Sequence, residues 1–255
     1  MLLHLIRHAQ SEANAGVSGA TRDCTLTDLG RRQAAAAAAR VAEMGVDRVL
    51  ASPYVRTLET AEAIRSASGA RASVLPLLHE HQVRPFEVDD WPLLSRAALG
   101  ERFPDFELPP DFAFSPRWHD APETEADVLR RAARALDELW QQYGAPPEGE
   151  PAARLALVSH GSPTGKLLLA ALRFAPLEGV APVEVQFRID NASISSVDFR
   201  PESRIVLAVN RVDHLAHLAV DPAGEDPGYP RRREGAPHKG VSGRRPQPPA
   251  YVRRV

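Results

Sequence analysis

Five side chains in this sequence have the types and spacing needed to move a phosphoryl group: Arg7, His8, Arg56, Glu80 and His160. A guanidinium grips phosphate oxygens in a fork and neutralises charge on the equatorial oxygens of the transition state, work otherwise done by magnesium. An imidazole is nucleophilic only when neutral, and nearby cations favour that form, so His8 among arginines can attack phosphorus near neutral pH. A departing alkoxide needs a proton, which Glu80 can supply before acting as base toward the water that cleaves the phosphohistidine. His160-Gly161-Ser162 leads into a helix, so the ring and the backbone N–H groups from Gly161 onward can hold another phosphate oxygen.

These groups meet only if the chain delivers them to one edge of a sheet. Leu2 to Arg7 reads as a buried strand, followed by a polar loop containing Gly16 and Gly19. Thr27 as N-cap, the alanine-rich run Leu29 to Met44 and Gly45 as stop predict a helix. Arg48 to Ala51 predicts a second strand, Pro53 to about Ser66 a helix closed by Gly69, and Ser73 to Leu78 a third strand. Thr124 caps an amphipathic helix from Glu125 to Tyr143, apolar at Val128, Ala132, Leu136, Leu139 and Tyr143. Then come a strand from Arg154 to Ser159, a helix from Thr164 to Leu172, and strands at Val183 to Ile189, Ser193 to Phe199 and Ile205 to Val209. Alternating strands and helices that end in consecutive strands predict an α/β fold, with a mostly parallel sheet covered by helices and an antiparallel portion at one edge. Ligands of such sheets bind beyond the carboxyl ends of the strands, where Arg7-His8, Arg56, Glu80 and His160 all fall.

Composition bounds the rest. The 255 residues are 44% hydrophobic and 25% charged, which suits one globular domain of roughly 200 residues with appendages. No apolar run approaches the ~20 residues of a bilayer span, and the start reads as strand rather than leader, so no membrane association and a cytoplasmic location are expected. Cys24 is the only cysteine, which excludes an intrachain disulfide and a cysteine-based zinc site. The domain is expected over 1–220, with an insertion at about 81–122 in which prolines alternate with Phe86, Trp91, Phe103, Phe106, Phe112, Phe114 and Trp118. That insertion is either a substrate-covering lid or a surface elaboration packed by its own aromatics, with Phe86, Trp91 and Trp118 as candidate specificity residues. Residues 221–255 hold seven Pro, five Gly and eight Lys/Arg against four Asp/Glu, with no Leu, Ile or Phe, and read as a solvated, mobile tail rather than a nucleic-acid contact.

The local sequences strengthen the reading. Leu5-Ile6-Arg7-His8-Ala9-Gln10-Ser11-Glu12-Ala13-Asn14 resembles the signature of the histidine phosphatases, the phosphoglycerate mutase-like family. Leu26-Thr27-Asp28-Leu29-Gly30-Arg31-Arg32-Gln33-Ala34, Ala51-Ser52-Pro53-Tyr54-Val55-Arg56-Thr57-Leu58-Glu59-Thr60-Ala61, Leu157-Val158-Ser159-His160-Gly161 and Asn191-Ala192-Ser193-Ile194 follow in the expected order, spanning about residues 2 to 210. The resemblance implies a three-layer α/β/α sandwich, a phosphorylated His8, a phosphate pocket completed by Arg7, Arg56 and His160, and Glu80 as proton donor. It also implies secondary contacts from Ser11 and Asn14. Ala9 stands where the family usually has glycine, and Leu78-His79-Glu80-His81-Gln82 lacks the Gly-Trp-Glu-Gly continuation of many members.

The expected activity is therefore metal-independent hydrolysis of a small phosphorylated metabolite, without cofactor. The rivals are a mutase that returns the phosphoryl group to its substrate, and a binding module that kept the pocket without turnover. Family mutases carry Glu-Arg-His-Tyr-Gly near the acid, where this chain has His-Glu-His-Gln-Val. A P-loop reading of Gly161-Ser-Pro-Thr-Gly-Lys166 fails because His160 and Leu167 replace the required Gly and Ser/Thr, and His79-Glu80-His81 lacks the spacing of a helical zinc motif. His214 and His217 read as surface or packing residues.

Overall fold

A computed structural model of the protein describes residues 1–21, 23–83, 94–109, 122–144, 146, 149–172 and 185–218. The chain runs β1 (Leu2–Arg7), α1 (Asp28–Met44), β2 (Arg48–Ala51), α2 (Val55–Ser68), β3 (Arg71–Val74), α3 (Arg96–Arg102), β4 (Phe106–Glu107), α4 (Glu125–Tyr143), β5 (Arg154–Ser159), α5 (Gly161–Leu172), β6 (Ile194–Phe199) and β7 (Arg204–Arg211). The strands form one sheet in the order β4-β3-β2-β5-β1-β6-β7. The first five are parallel, while β6 runs antiparallel to β1 and β7 antiparallel to β6.

Strand periodicity divides the core between the two faces of the sheet. Val49, Ala51, Ala156 and Val158 pack with Ala38 and Val41 of α1, Leu58, Ala61 and Ile64 of α2, and Leu99 of α3. Leu3, Leu5, Leu50, Leu155 and Leu157 face the other way, onto Ala132, Leu136 and Leu139 of α4 and Leu167 and Leu168 of α5. The result is the expected three-layer α/β/α sandwich with its antiparallel edge.

The helix signals act as anticipated. Thr27 Oγ1 accepts from Gly30 N at 2.9 Å, and Gly45 closes α1 at φ 69° in the left-handed region. Thr124 and Asp127 form a reciprocal capping box on α4. Helix α5 starts at Gly161, three residues earlier than expected, because Pro163 sits in the first turn where no N–H is required.

Two expectations need correction. The third strand stops at Val74 rather than Leu78, since Pro76 has no N–H for a ladder and opens a 3-10 turn, Pro76–Leu78. Residues 185–189, the described part of the strand expected at Val183 to Ile189, are not a strand. Both edges of β1 are already taken by β5 and β6, and the Ile189 carbonyl instead accepts from Arg7 Nη1 at 2.7 Å. The insertion expected at about 81–122 contains α3 and β4, which pairs with β3 and extends the sheet, with Phe103 and Phe106 buried in the core. Phe86, Trp91, Phe112, Phe114 and Trp118 lie outside the described residues, as does the 221–255 tail. Among the described residues no helix is long and apolar enough to cross a membrane.

Candidate active site

Because β2, β5 and β1 are parallel neighbours, the residues that leave their carboxyl ends emerge side by side: Ser52 to Arg56, His160, and Arg7-His8. The 3-10 turn after β3 brings in Glu80. All five expected residues are therefore brought together at one end of the sheet.

Hydrogen bonding assigns the state of the central ring. His8 Nδ1 lies 2.8 Å from the Ala9 carbonyl oxygen, which can only accept, so Nδ1 carries the hydrogen and Nε2 presents its lone pair. Arg56 Nε donates to that Nε2 at 3.2 Å. Burial, then the charges of Arg56 and Arg7, hold the pKa of His8 well below its ordinary value and keep the ring neutral.

His160 is the complement. Arg56 Nη2 lies 3.0 Å from its Nδ1 and can only donate, so the hydrogen sits on Nε2, which donates to Ser52 Oγ at 2.8 Å. Burial, then Arg56, depress its pKa as well. Arg56 thus bridges two neutral imidazoles whose centroids stand 5.3 Å apart, and its guanidinium packs over the Tyr54 ring at 4.7 Å.

Glu80 places Oε2 3.8 Å from Arg56 Nη2 and 3.6 Å from His160 Nδ1, while His81 N–H donates to its Oε1 at 2.9 Å. His8, Glu80 and His160 each turn one ligand atom toward the others within 4.8 Å, the one such grouping among the described residues that could hold a metal ion. Arg56 touches all three, however, and Arg7 adds its charge to both rings, so the donor set suits an anion better than a cation.

Several supports hold these groups. Thr60 Oγ1 accepts from Ala9 N at 3.1 Å and donates to Arg56 O at 2.8 Å, joining α2 to the loop after β1. Gln33 Oε1 accepts from Gln10 N at 2.9 Å, and Gly30 abuts the same loop so closely that a Cβ there would stand 1.9 Å from the Gln10 carbonyl oxygen. Gly161 lies beside Arg7, its hypothetical Cβ 3.6 Å from Arg7 Cζ, an ordinary contact.

Ser11 and Asn14 prove to be partners of one another. Asn14 Oδ1 accepts from Ser11 N at 3.3 Å, Ser11 Oγ at 3.1 Å and Asn191 Nδ2 at 3.0 Å. Ser11 is buried and shapes the loop, whereas Asn14 is part-exposed. Asn191 Nδ2 also donates to His8 O at 3.0 Å, a role for which the sequence offered only the late motif as a signal. Next to it, Ala192 adopts φ 55° and gives its N–H to Arg7 O and His8 O, while its carbonyl accepts from His214 Nε2. Glu59 accepts from Leu26 N and Arg102.

The model of the histidine phosphatase superfamily (branch 1) matches residues 3–212. "Probable phosphoglycerate mutase GpmB" of Proteus mirabilis is 28% identical over 232 residues, which cover 86% of this chain and 97% of that one. "Glucosyl-3-phosphoglycerate phosphatase" of Mycolicibacterium vanbaalenii is 32% identical over 183 residues, 69% of this chain and 73% of that one. Among solved structures, a mycobacterial glucosyl-3-phosphoglycerate phosphatase complexed with VO3 superposes with a TM-score of 0.57 at 23% identity, covering 83% of this chain and 99% of that chain.

Proposed function

The chain belongs to the histidine phosphatase superfamily, and from that membership we propose that it hydrolyses a small phosphorylated metabolite through a phosphohistidine on His8. The observation that carries this reading is the tautomer of His8: neutral, with Nδ1–H bound to a carbonyl and an unprotonated Nε2 that accepts from Arg56.

In the first step the Nε2 lone pair forms a bond to phosphorus as the ester P–O bond breaks in line, and Glu80 gives its proton to the leaving oxygen. Arg56 leaves Nε2 for the phosphoryl oxygens, which Arg7 shares, and the guanidiniums balance the charge a metal would otherwise balance. The Nδ1–H bond to the Ala9 carbonyl stabilises the positive charge that the ring gains on phosphorylation. In the second step water attacks phosphorus, Glu80 takes its proton, and the P–N electron pair returns to Nε2.

A mutase reading is favoured by the name of the 28% identical relatives. It differs in where the phosphoryl group goes, to a hydroxyl of the substrate rather than to water. The test is steady-state turnover of p-nitrophenyl phosphate across pH 5 to 8 with excess chelator, for the intact protein and His8→Ala, followed by phosphate release from 3-phosphoglycerate. Chelator-resistant release of phosphate, lost in the variant, supports hydrolysis. Accumulated phosphohistidine with isomerised substrate and no free phosphate supports the mutase, and loss of activity in chelator sinks the mechanism.

A further inference from the structure

Glu80 sits in a stretch, 79–83, that belongs to no helix or strand, yet its carboxyl must meet a leaving oxygen to within a few tenths of an ångström. What fixes it is a buried pair on the far side of that backbone. Arg131 of α4 donates from Nε to Glu123 Oε1 at 2.8 Å and from Nη2 to Oε2 at 2.9 Å. Its remaining Nη1 spans two carbonyls, Leu77 O at 2.7 Å and His79 O at 3.0 Å. Glu123 grips the other end: Gln82 N donates to Oε2 at 3.1 Å, Glu123 N donates to Gln82 O at 2.7 Å, and His81 Nε2 donates to Glu123 O at 2.9 Å. Residues 77, 79, 81 and 82 are thereby tied on both sides of position 80.

The pair is expensive to bury and is built to last. The side chains are 8% and 1% exposed, and although burial alone would raise the carboxyl's pKa, the hydrogen bonds and charge of Arg131 hold it below the ordinary carboxylate value. Every donor of Arg131 named here goes to Glu123 or to the backbone beside Glu80, none to a side chain of the phosphate pocket. Lysine could not replace it, because an ammonium has three donors on one nitrogen and lacks the planar fork that makes these four bonds.

We propose that Arg131 and Glu123 are positioning residues for catalysis, a clamp that presents Glu80 to the leaving group. The inference rests on the reading of Glu80 as general acid and adds that the acid's aim is set from α4. It has a signature that general destabilisation lacks. An alkyl phosphate leaves as a strongly basic alkoxide and depends on the acid, whereas p-nitrophenolate leaves unaided. A loosened acid therefore hurts the first ester selectively, while a smaller folded fraction lowers both equally.

The experiment measures kcat/KM, which reports steps up to phosphorylation of His8, on glycerol 2-phosphate and p-nitrophenyl phosphate. The proteins are wild type, Arg131→Lys, Glu123→Gln, Glu80→Gln, the double variant Arg131→Lys/Glu80→Gln, and Arg134→Ala as a control on the exposed face of the same helix. Arg131→Lys and Glu123→Gln are expected to lower the alkyl ester about 10- to 100-fold and the aryl ester by less than about threefold, with Arg134→Ala unchanged. Arg131→Lys should cost nothing further in the Glu80→Gln background. Equal losses on both esters, or losses that add to Glu80→Gln, would overturn the clamp and leave the acid in place. A Glu80→Gln variant without ester selectivity would remove the acid assignment and this inference with it.

Discussion

Replacing Arg56 by lysine keeps the charge of the pocket and removes its geometry, which makes it the sharpest single test of the site. Among the groups that meet this guanidinium are His8 Nε2 at 3.2 Å, His160 Nδ1 at 3.0 Å and Glu80 Oε2 at 3.8 Å. During phosphoryl transfer the same fork would face the equatorial oxygens, where losing one preorganised donor costs about 3–4 kcal/mol, or roughly 10²- to 10³-fold in kcat. Lysine retains a point charge, so the expected loss is near the lower end, about 100-fold in kcat with a smaller rise in KM. The assay is turnover of p-nitrophenyl phosphate, with inhibition by inorganic phosphate and by vanadate as readouts of ground-state and transition-state geometry. Vanadate inhibition should weaken at least tenfold more than phosphate inhibition, because only the former needs the fork. Thermal unfolding of the variant should remain within about 2 kcal/mol of wild type, the scale of one lost contact in a buried environment. Turnover within threefold of wild type, with the two inhibitors weakened equally, would show that Arg56 merely packs between the imidazoles.

Gly30→Ala puts a methyl group 1.9 Å from the Gln10 carbonyl oxygen, a backbone clash that no side-chain rotation relieves, so a loss of about 3 kcal/mol or more in stability is expected together with displacement of the loop after His8; an unfolding midpoint equal to wild type would contradict that packing. Asp23 is buried at the start of α2, where Oδ1 accepts from Val55 N at 2.7 Å, and burial raises its pKa from 3.8 to about 6 against the pull of the Val55 N–H and Arg56. The folded state therefore holds this proton more tightly than the unfolded chain, and its contribution to stability is lost as pH rises from about 4 through 6. A shift of this size corresponds to about 3 kcal/mol. Asp23→Asn keeps the acceptor without the titration, so its stability relative to wild type should climb by about that amount between pH 4 and 7 in urea titrations; a constant difference across the range would refute it. Ala192→Gly relieves the strain of φ 55°, worth about 1 kcal/mol, but deletes a fully buried methyl and frees the unfolded chain, so a net change within about 1 kcal/mol is expected. Ala192→Val should cost more than about 2 kcal/mol, since a β-branched side chain fits this conformation poorly, and chemical denaturation of both variants checks the contrast.

The residues gathered beyond the carboxyl ends of the strands were legible for a physical reason. Each of Arg7, His8 and His160 directly follows a run of apolar strand residues, and Arg56 opens a helix one turn beyond another, so strand periodicity alone places them at one edge. Glu80 was placed past a third strand expected to run to Leu78, whereas the strand ends at Val74 and a 3-10 turn without strand rhythm leads to it. The strand expected at Val183 to Ile189 failed for the converse reason: 187 to 190 alternate in burial like a strand, but alternation does not make a ladder, and the Ile189 carbonyl accepts from Arg7 Nη1 instead.

What aims the reacting groups lay beyond pattern reading. Arg131 occupies a helix position where periodicity announces a surface or rim residue, and Glu123 looks like one more acidic residue before a capping threonine; only their meeting, eight residues apart and buried, shows that they brace residues 77 to 82. Asn191, Thr60 and Ser52 likewise act through partners 183, 51 and 108 residues away in sequence. A nucleophile, its cations and its acid are chosen by chemistry, which a residue's type declares. The aim of each is chosen by the backbone carbonyls and amides it is tied to, and those have no side-chain type to read. Substitutions that spare every group in the pocket but cut one such tie are therefore where chemistry and stability should come apart.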